Sequence, residues 1–149
     1  VTPLEGAPRG GDLHYVLVCP PVEVSTGKVY AAFDESVTMS DMTLTLQTPL
    51  DSIPSSSIVE GLSDGELLFN RLEAVACDLF TELVEIRDLL EADGFRGSMM
   101  SGSGSTFFGL CSSAVEAASM ADNIKGKVPH GTRVLTTVNV PSWSGIFGL

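Results

Sequence analysis

Leu13 to Cys19, LHYVLVC, is dense in β-branched and aromatic side chains and stops at Pro20-Pro21, so it predicts a buried strand. Val24 to Phe33, VSTGKVYAAF, offers Ser25 or Thr26 as an N-cap and predicts a short helix through Phe33. The next segment, Ser36 to Gly61, is rich in Ser, Thr and Pro and has no helical period. Within it only MTLTLQT alternates like a strand; the rest reads as a long loop. Leu68, Leu72, Val75, Leu79, Leu83, Ile86 and Leu90 then recur at steps of three and four. Ser63 and Glu66 form a capping box ahead of them, and Asp93-Gly94 is a stop signal. This stripe predicts one long helix, or two with a break near Cys77-Asp78.

Gly97 to Cys111, GSMMSGSGSTFFGLC, places serines and glycines between two apolar runs, Met99-Met100 and Thr106 to Leu110. A flexible linker has polar neighbours, whereas these flanks read as short buried strands around a turn. Ser113 to Glu116 is a second capping box, opening a helix to about Lys125 with Ala114, Ala118 and Ala121 on its inward face. Gly131 to Val140, GTRVLTTVNV, predicts a closing strand. The order strand, helices, strand, strand, helix, strand is that of an α+β fold. It predicts a ferredoxin-like split βαβ antiparallel sheet with helices on one face. The domain spans residues 13–140 with a long loop at 36–61; residues 1–12 form a lead and 141–149 a tail.

Composition narrows the partners. A chain of 149 residues with 44% hydrophobic content can bury one core, and a formal charge of −11 disfavours nucleic acid and anionic membrane as partners. The densest basic stretch, IKGKV, reads as a solvated helix end, and no apolar run approaches the ~18 residues of a membrane span. Cys19, Cys77 and Cys111 are odd in number and far apart, which points to free thiols in a reducing compartment. His14 and His130 have no partner at metal-ligand spacing, so no metal site is expected. The opening VTPLEGAPRGGD has no initiator Met and no signal pattern, and suggests a chain that begins partway through a longer protein.

Two segments have the residues for ligand chemistry. Ser101, Gly102, Ser103, Gly104 and Ser105 have the composition of a phosphate cradle, in which backbone N–H groups converge on an anion. No Gly-Lys-Ser/Thr follows, and the GxGxxG and GxSxG patterns also fail, so composition alone favours a simple hairpin turn. Thr26, Lys28 and Tyr30 supply a hydroxyl, a cation and an aromatic face on one short turn; the alternative is an ordinary capped helix with exposed Lys28. Asn70, Arg71 and Glu73 read as the wet face of a helix, as do Glu82, Glu85, Asp88 and Glu91. No Ser/His/Asp arrangement can be argued.

Three segments taken together, YVLVCPPVEVSTGKVY, FNRLEAVA and MMSGSGSTFFGL, resemble the C-terminal half of GHMP superfamily kinases. Met-Ser-Gly-Ser-Gly-Ser resembles the third superfamily motif, and the other two segments point to the branch acting on diphosphocytidyl-methylerythritol. The resemblance runs from about Leu13 to Val138, excluding Ser36 to Gly61. It implies a ferredoxin-like C-terminal domain and transfer of the γ-phosphate of ATP to the 2-hydroxyl of a diphosphocytidyl small-molecule substrate in non-mevalonate isoprenoid synthesis. By resemblance Thr26 would hold the methylerythritol end, with Lys28 beside it, Tyr30 would stack on the cytosine, and Ser101 to Ser105 would support the phosphate loop of an N-terminal half. Arg71 departs from the family, which usually has Asp there. The phosphate loop, catalytic Asp and Lys of the N-terminal half have no counterpart in these residues, so no catalytic residue is assigned to this chain. ATP and Mg2+ would be bound mainly by that half, the expected partner. The pathway implies a plastid stroma or a bacterial cytoplasm; the Pro-Pro segment and the Ser/Thr-rich loop favour the plastid. Another GHMP small-molecule kinase, and a non-enzymatic interaction module using the Leu68 to Leu90 stripe, are the alternatives.

Overall fold

A computed structural model of the chain describes residues 13–36 and 68–138. The first strand, β1 (His14–Cys19), buries Val16 and Val18 on one face, as alternation requires, and ends at Pro20. Helix α1 (Thr26–Ser36) follows, entered through Ser25, whose Oγ accepts from the Lys28 N–H at 3.4 Å. Helices α2 (Arg71–Leu79) and α3 (Glu82–Ala92) lead to a hairpin of β2 (Ser98–Met100) and β3 (Phe107–Cys111). Helix α4 (Ala114–Lys125) and strand β4 (Arg133–Val138) complete the described elements.

The four strands form one antiparallel sheet in the order β2-β3-β1-β4. With β1 and β3 central, helices carry the chain from β1 to the far edge strand β2 and from β3 to the far edge strand β4, while β2 and β3 form a hairpin; this is the expected ferredoxin-like sheet. Val16 and Val18 pair across β1 and β3 with Gly109 and Phe107, so these residues share a face. That face meets α3 through Leu83, Ile86 and Leu90, and α4 through Ala117, Ala121 and Ile124, in a single core. Gly109 is small because the Phe95 ring lies against it: a Cβ there would sit 2.3 Å from Phe95 Cδ1. On the opposite face Tyr15 and Phe108 meet edge to face, with ring centroids 5.9 Å apart.

Several expectations need correction. The first helix runs to Ser36 rather than Phe33. The Ser63–Glu66 capping box, the alternating MTLTLQT, residues 1–12 and 141–149 and nearly all of the 36–61 loop lie outside the described residues. Leu68 and Phe69 are not helical, because the cap that starts α2 is Asn70. The stripe does break, but at Phe80-Thr81, beyond Cys77-Asp78. A continuous helix would put Leu79 in line with Ala76 and Leu83; the break instead leaves Leu79 46% exposed and packs Phe80 against the core. Ala114 and Ala118 face solvent, since the large Ile124 selects the α4 face and draws Ala117 and Ala121 inward with it.

Candidate functional site

The pairing of β1 with β3 sets Val18 opposite Phe107. The exit from β1, Pro20 to Thr26, therefore lies beside the turn that precedes β3. Ser105 Oγ donates to the Pro20 carbonyl at 3.4 Å, and Thr26 Oγ1 and Ser103 Oγ share a hydrogen bond of 2.9 Å. The two candidate segments, 77 residues apart in the chain, thus meet at one place.

The serine-glycine segment is a hairpin turn. Ser101 N–H donates to the Thr106 carbonyl at 2.8 Å, and Gly104 N–H to the Ser101 carbonyl at 3.1 Å. Gly104 has φ of 95°, a conformation that favours glycine, and a Cβ on it would lie 2.8 Å from Met100 Sδ, so the methionine would also have to shift.

The start of α2 closes over this turn from the other side. Asn70 Oδ1 accepts from the Leu72 N–H at 3.0 Å, a standard N-cap bond. Its amide nitrogen donates to the carbonyls of Met100 and Gly102, both at 2.8 Å. One helical turn on, Glu73 Oε2 accepts the Met100 N–H at 2.7 Å. Asn70 and Glu73 are therefore not an uncommitted wet face, as their sequence context suggested. Their Asn-x-x-Glu spacing just before an apolar helical run is itself a capping signature and was the available clue. Arg71 lies over the Phe33 ring, 5.1 Å from its centroid, and ties α2 to α1.

On α1, Thr26 and Tyr30 are four residues apart and share a helix side, where Tyr30 leaves 51% of its surface exposed. Lys28 is exposed, but two residues from each it points away from that side; helix geometry does not bring it together with Thr26 and Tyr30. The side chains at this place provide hydroxyls, an aromatic face and main-chain groups, and Glu73 is already engaged. The arrangement can bind and orient a polyol or a base.

The groups with altered proton affinity lie elsewhere. Burial raises the thiol pKa of Cys77 and pushes that of Cys111 up to about 11, and it raises the Tyr15 phenol. Hydrogen bonds from Ser112 lower the Glu116 carboxyl. A cleft of about 430 Å³ is also distant: His14, Ala114, Ala117, Thr136, Thr137 and Val138 line it, at the far end of β1 from Thr26.

Comparison with known proteins agrees with the fold. Residues 59–130 match the family model described as GHMP kinases C terminal, which includes α2, the Gly/Ser turn and α4. A 4-diphosphocytidyl-2-C-methyl-D-erythritol kinase from Geobacter sp. (strain M21) is 42% identical over 112 residues, 74% of this chain and 35% of that protein. Its counterpart from Citrifermentans bemidjiense is 40% identical over 125 residues, 83% of this chain and 40% of that protein. A crystal structure of a 4-(cytidine 5'-diphospho)-2C-methyl-D-erythritol kinase superposes with a TM-score of 0.61 at 31% identity, covering 87% of this chain and 44% of the other. The chain therefore spans less than half the length of each of these relatives. Element order, sheet topology, matched residues and structural neighbour converge, and the chain belongs to the GHMP kinases as a C-terminal domain.

Proposed function

We propose that this domain forms the acceptor side of an ATP-dependent kinase that phosphorylates the 2-hydroxyl of 4-diphosphocytidyl-2-C-methyl-D-erythritol. The observation that carries the reading is the Thr26–Ser103 hydrogen bond, which joins the α1 segment to the Gly/Ser turn in one site. Thr26 offers its hydroxyl to the methylerythritol end, and the exposed Tyr30 ring stacks on the cytosine. The turn from Ser101 to Ser105 supports the phosphate-binding loop of an N-terminal half.

Phosphoryl transfer depends on positioning and on neutralising the γ-phosphate. ATP supplies the phosphoryl group, and magnesium supplies charge neutralisation. The donors around the turn are hydroxyls and peptide groups, and the Glu73 carboxylate is occupied by Met100. Both ATP and the metal are accordingly assigned to the N-terminal half, and this chain's part is to bind and orient the acceptor. The named relatives are bacterial, which favours a bacterial cytoplasm over the plastid that the Pro-Pro segment and the Ser/Thr-rich loop suggested.

The test is ATP-dependent phosphorylation of diphosphocytidyl-methylerythritol by the chain alone and mixed with the N-terminal half of a relative. Activity in the mixture only is the expected result. Phosphorylation of homoserine or mevalonate in its place would overturn the choice of substrate, and activity of the chain alone would overturn the division of labour.

A further inference from the structure

We infer that Asn70 and Glu73 are positioning residues that hold the Gly/Ser turn by its main chain and, through Ser103, fix the hydroxyl of Thr26. What Thr26 then contacts rests on the function proposed above; the positioning itself does not.

The argument starts from residue chemistry. Helix N-caps are filled about equally well by Ser, Asp or Asn, because each offers an acceptor oxygen. Among these only Asn also carries a donor amide. At position 70 that amide is fully used: both its hydrogens go to carbonyls of the turn region, Met100 and Gly102. Glu73 complements it by taking the N–H of Met100. Both main-chain polar groups of Met100 are therefore held by α2, and the residue after Gly102 is Ser103, the partner of Thr26. A cap alone needs none of the contacts to residues 100 and 102. A turn built of Gly and Ser has no side chains large enough to lock its own position, which explains why it is held from outside.

The variants separate capping from positioning. Asn70→Asp keeps the acceptor for Leu72 and removes the donor, and Asn70→Ser keeps the acceptor but has one hydroxyl hydrogen on a shorter side chain in place of two amide hydrogens, so it cannot hold both carbonyls. Glu73→Gln keeps an acceptor oxygen for Met100, and Glu73→Ala removes it. The experiment is NMR of the full 149-residue chain, reading amide exchange together with the Thr26 methyl and Ser103 amide signals.

Both Asn70 variants are expected to shift Thr26 and Ser103 while the Leu72 to Leu79 amides keep their protection. Glu73→Ala is expected to speed Met100 exchange by about tenfold, the scale of one lost hydrogen bond, and Glu73→Gln to restore it. Unmoved Thr26 and Ser103 signals in Asn70→Ser overturn the inference, as does loss of α2 protection without a shift at Thr26. Should Asn70→Asp fail to fold, because its carboxylate faces two carbonyls, Asn70→Ser decides. Titration with the diphosphocytidyl substrate then tests the other reading separately. A wild-type chain whose Thr26 and Tyr30 signals ignore the substrate, alone and with the N-terminal half present, removes the substrate assignment and leaves the positioning intact.

Discussion

Gly109 and Asn70 show how a single residue type can be dictated from a distant part of the chain. At Gly109, in the middle of a central strand, the Phe95 ring occupies the space of a side chain. Gly109→Ala is expected to lower stability by about 1–3 kcal/mol, the usual range for overpacking, read as the midpoint of urea unfolding. Phe95→Leu in the same chain should recover part of that loss, so the two changes are less than additive. Strict additivity would show that Phe95 does not limit the site. The spacing to Glu73 signals that Asn70 caps a helix, but neither its hold on the turn nor the packing at Gly109 was legible in the sequence. Their partners lie beyond the window of any periodicity: Asn70 reaches across 30 and 32 residues to Met100 and Gly102. Thr26 and Tyr30 were legible as chemistry, a hydroxyl and a ring at helix spacing. Their junction with Ser103 was not, because strand pairing creates it.

Among the elements, α4 follows its local sequence most closely. Ser113 Oγ accepts the Glu116 N–H at 3.1 Å, and Glu116 Oε2 accepts from both the backbone and hydroxyl of Ser112. These hydrogen bonds lower the Glu116 pKa below its ordinary value. A carboxyl depressed in the folded state contributes stability that is complete above its unfolded value and lost as pH falls through the lower folded one. Unfolding midpoints measured from neutral pH down through the carboxylate range should therefore drop less in Glu116→Gln than in wild type. Equal slopes in the two proteins would place the acid sensitivity elsewhere. The α2–α3 stripe is the contrasting case. Its apolar spacing announced helix, but the break at Phe80-Thr81 is set by Phe80 packing inward, which spacing cannot express. Strands β1 and β3 were readable because β-branched or aromatic runs ended at prolines or began at a glycine-rich turn, and β2 because the apolar pair Met99-Met100 abuts that turn. The inward face of α4 was misjudged for the opposite reason: alanines occur on several sides of that helix, and the core side is marked only by Ile124 and the half-buried Met120 near its end.

At the scale of the whole molecule, charge decides how the proposed site can hold its ligand. The chain carries a formal charge of −11, and a diphosphocytidyl substrate is an anion, so the long-range field opposes their approach. Of the cations near the site, Arg71 sits over Phe33, and Lys28 lies off the side of α1 shared by Thr26 and Tyr30. The proposed recognition, by stacking on Tyr30 and hydrogen bonding to Thr26, would be short-ranged and indifferent to salt. Raising salt from about 10 to about 150 mM shortens the Debye length from about 30 to about 8 Å, which screens the repulsion. Affinity of the 149-residue chain for the substrate should accordingly hold or rise across that range, as measured by calorimetry. A steep fall would show that a phosphate–cation contact dominates. The same measurement ranks the side chains. Tyr30→Ala is expected to weaken binding by about 5–150-fold, the span of ~1–3 kcal/mol for stacking a base on an aromatic ring. Thr26→Val should weaken it by about fivefold, one net hydrogen bond. Lys28→Ala should leave it nearly unchanged. A Lys28 effect larger than that of Tyr30, together with a steep salt dependence, would reverse the assignment and make the site a charge-held phosphate site.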